Sequence, residues 1–282
     1  MKGRTCLVTG ATSGIGKAAA TELARRGADV VITCRSREKG ERVAAEIERA
    51  AGRRPVDILT ADFASLDQVH GLAQAYLRSG RPLHVLVNNA GVVMQKRTVT
   101  KDGHETMFGV NHLAPFLLTN LLRPRLEESA PARVVGTASD AHRWERKRLD
   151  LDDLDARKKF GPMVTYGRSK LANILFTREL GRRLDPAKVT AHCLHPGFVA
   201  SDLCVNNGMV ARVVFALGRP FARSPEKGAE TVVYLSTAPE VERSTGGYFM
   251  DCKPHKPNFA ASHDEDARRL WDVSARLVGL SD

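Results

Sequence analysis

Short apolar runs alternate with longer segments of helical period along the first half of the chain. Four of these runs predict buried strands: TCLVT (5–9), DVVITC (29–34), VDILTA (56–61) and LHVLV (83–87). The segments between them predict helices over about 14–26, from the second strand to about Ala51, and over about 65–79. Three later runs also predict strands: ARVVGTAS (132–139), KVTAHCLH (188–195) and GGYFM (246–250).

This alternation indicates an α/β fold. Strands that are apolar at nearly every position are typical of a parallel sheet with helices on both faces. We therefore expect a doubly wound parallel sheet of about seven strands. No linker rich in Pro, Gly or Ser divides the chain, so residues 1–282 are predicted to form a single domain. The stretch 198–224 departs from the rhythm, and we interpret it as a substrate lid.

Composition and charge exclude several classes of protein. The chain of 282 residues is 43% hydrophobic, and its apolar runs are too short to span a bilayer, so we expect a cytoplasmic protein. Its five cysteines are odd in number and lack CxxC spacing, which argues against a disulfide framework and a zinc site. The formal charge of +11 comes without a nucleic-acid motif, so no nucleic-acid partner is predicted. An anionic cofactor or peripheral contact with an acidic membrane explains the charge instead.

A glycine-rich turn joins the first predicted strand to the first helix. In VTGATSGIG (8–16), Gly10, Gly14 and Gly16 allow a tight turn and close approach of the backbone to a pyrophosphate. Amides at the helix N-terminus favour that negative charge. The spacing is TGxxxGIG rather than GxGxxG, but its place at the first strand–helix junction favours a dinucleotide-binding, Rossmann-type domain.

The end of the second strand bears on the choice of nicotinamide cofactor. An acidic residue there would accept the ribose 2′-hydroxyl and favour NAD. This chain has Cys34 followed by Arg35, with Arg37 and Lys39 nearby. No carboxylate repels a 2′-phosphate, and a guanidinium can bind that group with two hydrogen bonds. We therefore expect NADP(H).

Tyr166 and Lys170 lie four residues apart where an apolar repeat of helical period begins. Positions i and i+4 share a helix face, so the ammonium is expected beside the phenol. Lowering the pKa of a tyrosine from its reference value near 10 to about 7 requires about 4 kcal/mol. A cation about 4 Å away, at an effective dielectric near 20, supplies about that amount. The pair is thus a candidate acid and base, with a solvated surface pair as the alternative.

Six motifs occur in a fixed order along the chain. They are TGATSGIG (9–16), NNAG (88–91), an Asn within VNHLAPF (110–116), the strand-end Ser139, YGRSK (166–170) and HPG (195–197). Over essentially its whole length the chain resembles the short-chain dehydrogenase/reductase family. It is most similar to the branch of retinol dehydrogenases and WW-domain oxidoreductases, through DGHETMFGVNHLAPFLLTNLL, YGRSKLANILFTRELGRRL and VTAHCLHPGFVASDL.

The resemblance implies roles for the residues at matching positions. The implied catalytic set is Asn111, Ser139, Tyr166 and Lys170. The implied cofactor-binding set is Gly10, Thr12, Ser13, Gly14, Ile15, Gly16, Arg35, Asp62, Phe63, Asn89, Ala90, Gly91, Tyr166, Lys170, Pro196, Gly197, Val199 and Ser201. Asp62 is expected near the adenine, and the residues from Pro196 to Ser201 beside the nicotinamide. No metal site is implied.

The chain departs from the family pattern at three places. Ala114 stands where Gly is usual, and Thr137-Ala138-Ser139 replaces a more common double serine. The catalytic hydroxyl survives, so these two changes are expected to leave activity intact. We also expect no N-terminal membrane anchor of the kind frequent in this branch, which puts membrane attachment in doubt.

Two of the implied catalytic residues carry chemical arguments of their own. Ser139 is predicted at the carboxyl end of a strand, where its hydroxyl can donate to a substrate oxygen as charge develops. Pro115 has no N–H for the Asn111 carbonyl four residues earlier, so we expect a kinked helix there. The freed carbonyl could hold a water in a proton relay from Lys170; a purely structural kink is the alternative. His112 and His195 are interpreted as structural.

The leading prediction is an NADP(H)-dependent oxidoreductase that interconverts an alcohol and a carbonyl on a small lipophilic substrate, retinol/retinal-like or another aldehyde or ketone. The alternatives are a reductase of a steroid or secondary-metabolite ketone, and a non-catalytic NADP(H)-sensing regulator. Residues 203–221 carry apolar side chains at helical spacing and could cap the substrate, touch a membrane or pack on the domain. The charged stretch 140–165 is expected to be a solvated excursion, with partner binding as the alternative. Family analogy implies a homo-oligomer.

Overall fold

The computed structural model describes residues 1–145, 147–199 and 222–280. Within these residues the strands form one sheet in the order β3-β2-β1-β4-β5-β6-β7-β8. The strands are β1 (Thr5–Val8), β2 (Asp29–Cys34), β3 (Asp57–Thr60), β4 (Val85–Asn88), β5 (Ala132–Thr137), β6 (Val189–His195), β7 (Gly247–Met250) and β8 (Lys253–Pro254). The first seven pair in parallel, as predicted. β8 adds an unpredicted antiparallel edge to β7.

Helices cover both faces of the sheet, which explains why its strands are apolar at nearly every position. The helices are α1 (Gly14–Arg25), α2 (Arg37–Ala51), α3 (Leu66–Arg78), α4 (Thr106–Phe108), α5 (Ala114–Glu128), α6 (Pro162–Arg183), α7 (Pro225–Thr237) and α8 (Asp264–Leu277). One buried apolar cluster joins α1, α2 and α7 to one face, and a larger cluster joins α3, α5, α6 and α8 to the other. The doubly wound Rossmann fold is confirmed. Its ligands are expected at the carboxyl ends of the strands.

The helical segment around Asn111 contains a π-helix at the place where a kink was predicted. α4 continues into a π-helix, Gly109–Leu113, which leads directly into α5. The Ala114 N–H donates to the Gly109 carbonyl, five residues back. Pro115 cannot donate to the Asn111 carbonyl, so the chain departs from the α-helical pattern at this point. The departure was predicted in the right place, but its form was not.

The described part of residues 140–165 lies outside the sheet, as predicted, but it is anchored to the domain. It begins with the 3₁₀ turn Asp140–Trp144. Arg148 forms ion pairs with Asp266 and Glu265 of α8 at 2.6 and 3.0 Å. Leu149 and Ala156 are buried. Most of its charged side chains are exposed, in agreement with a surface excursion, and ionic and apolar contacts also hold it against the domain.

The predicted lid falls almost entirely outside the described residues, so its role rests on sequence alone. The amphipathic stretch 203–221 is not among them. Near the two ends of the predicted lid (198–224), the Arg223 N–H donates to the Phe198 carbonyl at 2.7 Å. Val199 and Arg223 also form an isolated β-bridge. None of the helices within the described ranges is both long and apolar enough to cross a bilayer. The cytoplasmic location stays a prediction.

Candidate active site

The glycine-rich loop after β1 packs against the loop after β4. A Cβ on Gly10 would lie 2.8 Å from the Ala90 Cα, and one on Gly16 would lie 2.4 Å from the side-chain nitrogen of Asn89. Gly10 and Gly14 have φ angles of 65° and 52°, in the left-handed region that glycine adopts without steric cost. Side chains at these positions would separate the two loops or strain the backbone.

Thr9, which begins the TGATSGIG motif but was not among the predicted site residues, ties these loops together. Its fully buried hydroxyl oxygen accepts the N–H groups of Asn89 at 2.9 Å and Ala90 at 3.0 Å. The same hydroxyl donates to the Val87 carbonyl at 3.1 Å. The Asn89 side chain donates in return to the Thr9 carbonyl at 2.9 Å. A threonine at a strand end is common, and only its place directly before Gly10 could have marked it.

The N-terminus of α1 fits a phosphate group. Ser13 occupies the N-cap position without a side-chain capping hydrogen bond to any described residue, and the first turn has no acidic residue. The first amides of the helix are therefore free of a capping side chain and favour an anion. Ile15 lies close to Val199, because a Cβ on Gly228 would approach both, at 3.2 and 2.7 Å. Together with the half-buried Thr12, these residues form a cradle that suits a dinucleotide.

Arg35 follows β2 directly and is exposed. Within the described ranges its guanidinium forms no ion pair, whereas the nearby Arg37 is held by Glu41 at 2.9 Å and by the Ile58 carbonyl at 2.8 Å. Cys34, the last residue of β2, carries no charge that would repel a phosphate. Of the two arginines, Arg35 is thus the one whose charge is available to a ligand.

Asp62 and Phe63 follow β3, which is the neighbour of β2 in the sheet. The Asp62 carboxylate accepts the N–H of Ala64 at 3.0 Å, and its own N–H donates to the Gln68 side chain at 2.9 Å. Phe63 is buried against the core. Because β2 and β3 are parallel neighbours, their carboxyl ends place Arg35 and Asp62 at the same edge of the sheet. The adenine end of the cofactor was predicted to bind at this edge.

Asn111 joins the loop after β4 to α6. Its side-chain oxygen accepts the Val92 N–H at 2.7 Å, and its amide donates to the Val92 carbonyl and to the Ser169 hydroxyl, each at 3.0 Å. A Cβ on Gly91 would lie 3.2 Å from the Asn111 side-chain oxygen and 3.5 Å from the Lys170 nitrogen. The side chains of Asn111 and Lys170 therefore both lie next to Gly91. Ser169 was not anticipated from its spacing.

Lys170 is buried, with 4% of its surface exposed, on the face of α6 that carries Tyr166. Its ammonium donates to the Thr137 carbonyl at 3.0 Å and lies 5.6 Å from the centre of the Tyr166 ring. Burial lowers the pKa of Lys170 from 10.5 to about 8, so the group is still mostly charged at neutral pH. Tyr166 packs with Val93 and Met107. Because both partners are buried, a solvated surface pair is excluded.

Ser139 lies two residues beyond β5 and caps the 3₁₀ turn Asp140–Trp144. Its hydroxyl oxygen accepts the Ala141 N–H at 3.1 Å. Ala141 in turn packs against the apolar cluster that contains Tyr166. Ser139, Tyr166, Lys170 and Asn111 are therefore gathered at the carboxyl edge of the sheet, as the fold requires of residues that act together.

Pro196, Gly197 and Val199 follow β6 at the same edge. Gly197 has a φ of 84°, and a Cβ there would lie 2.7 Å from the Arg223 side chain. Arg223 is held in turn by the carboxylate of Asp251. The sequence offered no signal for this arginine. Ser201 lies outside the described residues, so its predicted place beside the nicotinamide stays a prediction.

Two histidines flank the site. His112, next to Asn111, is fully buried, and its Nε2 lies 2.8 Å from the Ser274 hydroxyl on α8. Burial lowers the pKa of His112 to about 3 and that of His195 to about 4. Both rings are neutral at physiological pH, which agrees with a structural role.

A family model, related proteins and solved structures all match this chain, and they agree with one another. The family model described as short chain dehydrogenase matches residues 4–149. Retinol dehydrogenase 12 of Mus musculus is 44% identical over 278 residues, which are 99% of this chain and 87% of that protein. A crystal structure of an uncharacterised Mycobacterium paratuberculosis protein has a TM-score of 0.78 and 31% identity, covering 99% of this chain and 95% of that one.

A second solved structure carries a nucleotide. The active-site complex of Pseudomonas aeruginosa RhlG with NADP has a TM-score of 0.69 and 27% identity, covering 88% of this chain and 94% of that chain. Fold, motif order and identity agree over nearly the whole length. The chain belongs to the short-chain dehydrogenase/reductase family, in its retinol dehydrogenase-like branch.

Proposed function

We propose that the protein is an NADP(H)-dependent oxidoreductase that interconverts an alcohol and a carbonyl on a lipophilic substrate. Its family supports an oxidoreductase that acts on CH–OH groups. The observation that carries the proposal is the buried ammonium of Lys170, 5.6 Å from the Tyr166 ring centre, at the sheet edge where the glycine-rich loop lies. A protein that only senses a nucleotide has no use for a buried cation beside a phenol.

The residues of the site divide the chemistry among them. When bound, a nicotinamide cofactor supplies or accepts the hydride. Tyr166 donates a proton to the carbonyl oxygen during reduction and removes one from the hydroxyl during oxidation. The ammonium of Lys170 stabilises the phenolate that this transfer leaves behind. Ser139 donates a hydrogen bond to the substrate oxygen as negative charge develops there.

Asn111 acts in this proposal through its backbone and its position. Its side chain is already engaged by Val92 and Ser169, so it holds the loop after β4 against α6. Its carbonyl has no N–H donor at Pro115, which leaves it available for a water that relays protons from Lys170 to solvent. The structural and the relay roles are therefore compatible.

The central test is Tyr166→Phe, which removes the hydroxyl and keeps the ring. We expect turnover to fall by about 10²-fold or more, because general acid–base catalysis contributes that much, while NADPH binding is retained. NADPH consumption would be followed over aldehydes and ketones of graded size and polarity, with NADPH affinity measured by titration. Reduction at the wild-type rate by this variant would show the mechanism to be wrong.

The same panel of carbonyls addresses the substrate. Similarity to a protein named retinol dehydrogenase 12 supports a retinal-like aldehyde over a steroid or secondary-metabolite ketone. We expect kcat/KM to rise with the apolar length of the aldehyde. A preference for small polar carbonyls would count against a lipophilic substrate without affecting the assignment of the catalytic residues.

The proposed preference for NADP(H) is supported by the exposed Arg35, by the uncharged Cys34 before it and by the NADP complex of RhlG. Arg35→Ala should lower kcat/KM for NADPH by about 10-fold or more, since a charge-assisted hydrogen bond contributes about 1.5–3 kcal/mol. The value for NADH should be unaffected. Arg42→Ala, which removes an exposed arginine from the following helix, is the control. An unchanged NADPH-to-NADH ratio in Arg35→Ala would refute the assignment of the 2′-phosphate site.

A further inference from the structure

His142 is a fully buried histidine in contact with the backbone of Ser139. Its Nδ1 lies 2.7 Å from the Ser139 carbonyl oxygen, and its Nε2 lies 3.0 Å from the backbone nitrogen of Asn258. The same Ser139 carbonyl also accepts the His142 N–H at 3.1 Å. The His142 imidazole thus connects Ser139 to Asn258, which lies 116 residues after His142 in the chain.

The two partners determine which ring nitrogen carries the hydrogen. A carbonyl oxygen can only accept, so Nδ1 must donate to Ser139. A backbone N–H can only donate, so Nε2 must accept from Asn258. His142 is therefore the neutral Nδ1–H tautomer. Burial lowers the pKa of His142, which also favours the neutral ring. With both nitrogens engaged, the ring is a link between two backbone groups and not a proton carrier.

Further contacts hold this turn on other sides. The Asn258 side chain donates to the carbonyls of His142 and Glu145 at 3.3 and 3.0 Å. The Glu145 carboxylate accepts from Arg168 of α6 at 2.6 Å. The Tyr248 ring meets the His142 ring edge-on, with 5.4 Å between centres. The turn that starts at Ser139 is therefore braced by α6, β7 and the segment around Asn258.

We propose that His142 is a positioning residue that holds Ser139 in place for catalysis by donating its Nδ1 hydrogen to the Ser139 carbonyl, while the Asn258 N–H orients the ring. This inference rests on the proposed function, which gives the Ser139 hydroxyl a role toward the substrate oxygen. His142 acts only through Ser139. A displacement of about 1 Å of such a group can cost about 10²-fold in rate, so a rigid backbone anchor has a measurable effect.

Three substitutions separate the two hydrogen bonds of the ring. His142→Asn keeps a donor near the place of Nδ1, His142→Gln keeps an acceptor near the place of Nε2, and His142→Phe keeps neither. We expect His142→Asn to retain most of the wild-type kcat. We expect the Gln and Phe variants to lose about 10- to 100-fold in kcat, with NADPH affinity unchanged. His142→Asn therefore keeps the hydrogen bond to the Ser139 carbonyl, on which the proposal depends.

His192 offers a matched control. It is also buried, at 3% exposure; its Nδ1 accepts the Gly247 N–H at 3.2 Å and its Nε2 lies 3.3 Å from the Ser244 hydroxyl. It likewise meets an aromatic ring edge-on, that of Phe249, at 5.0 Å. Among the described residues, His192 links β6 to the start of β7 and to Ser244 just before it, and none of these is a proposed catalytic residue. Its Gln and Phe variants should lower Tm about as much as those of His142, and leave kcat unchanged.

Hydrogen exchange of the backbone amides from 139 to 145 gives a readout that needs no turnover. Exchange should be faster in His142→Gln and His142→Phe than in wild type, and unchanged in the His192 variants. Wild-type kcat and exchange in His142→Phe would overturn the proposal, and so would a kcat loss that follows Tm equally in both series. If the wild-type protein reduces no carbonyl at all, the proposed function fails, while the exchange result still decides whether His142 holds Ser139.

Discussion

Lys170 places an ammonium in a buried part of the protein, at 4% exposure, where its described hydrogen-bond acceptor is the Thr137 carbonyl. Burial lowers the pKa of Lys170 from 10.5 to about 8. A shift of this size corresponds to about 3 kcal/mol against the charged form at neutral pH. The cation that the proposed chemistry needs is therefore a source of instability in the folded chain.

Lys170→Met tests this balance, because methionine fills the same space without a charge. We expect the free energy of unfolding to rise by up to about 3 kcal/mol, with a higher Tm, while turnover is lost. Thermal unfolding and NADPH consumption would be measured together. Lys159→Met, at an exposed position, is the control and should alter neither quantity. A Tm below that of wild type would contradict the account of the buried charge.

The residues that could be predicted are those whose role shows in local spacing. Tyr166 and Lys170 are one helical turn apart, and the glycines of the first loop form a single short motif. Thr9 and Ser169 lie inside two of the quoted motifs, but their roles could not be predicted, because their partners Asn89 and Asn111 lie 80 and 58 residues distant. A polar residue that acts through one distant hydrogen bond leaves no periodic signal in the sequence.

The same reasoning explains which helices and strands were predicted. The limits of β2 agree with the run 29–34, because the five consecutive buried positions after Asp29 make a distinct pattern. β8 has two residues, and only its pairing with β7 makes it a strand. Pro115 marked where the α-helix is interrupted, because it gives no N–H to the Asn111 carbonyl. That signal does not say that the interruption takes the form of a π-helix.

Trp271 of α8 packs against aromatic side chains of α5 and α6. It is 7% exposed, and its ring centre lies 4.9 Å from that of Phe116 and 5.8 Å from that of Phe176. The guanidinium of Arg183 lies 4.5 Å above the ring. α8 thus covers apolar surface of both α5 and α6.

Trp271→Ala should lower the free energy of unfolding by about 3–5 kcal/mol, because it leaves a large cavity between three helices. Leu277→Ala, at the exposed end of the same helix, should lower it by less than about 1 kcal/mol. Urea unfolding followed by circular dichroism would give both values. Equal effects of the two substitutions would mean that α8 is held by its whole length and not by the tryptophan.

Several histidines distributed over the protein are kept neutral by the fold. Burial lowers the pKa of each of the following: His84, His112, His142, His192 and His195. In the unfolded chain they would take up protons near pH 6.5. The unfolded state then binds more protons than the folded state, so the folded protein loses stability as the pH falls below about 6.5. For His112 the loss continues to about pH 3, and for His195 to about pH 4.

This linkage can be measured between pH 7 and pH 5, where most carboxylates are ionised in both states. Glu105, whose pKa burial raises, acts in the opposite direction and weakens the effect. Below pH 6.5, each histidine that stays neutral contributes about 1.4 kcal/mol per pH unit. We expect the free energy of unfolding from urea titrations to fall steadily over this range, and to fall less steeply in His112→Asn, whatever that variant's stability at pH 7. Equal slopes in wild type and His112→Asn would show that the His112 imidazole titrates in the folded protein as it does in water.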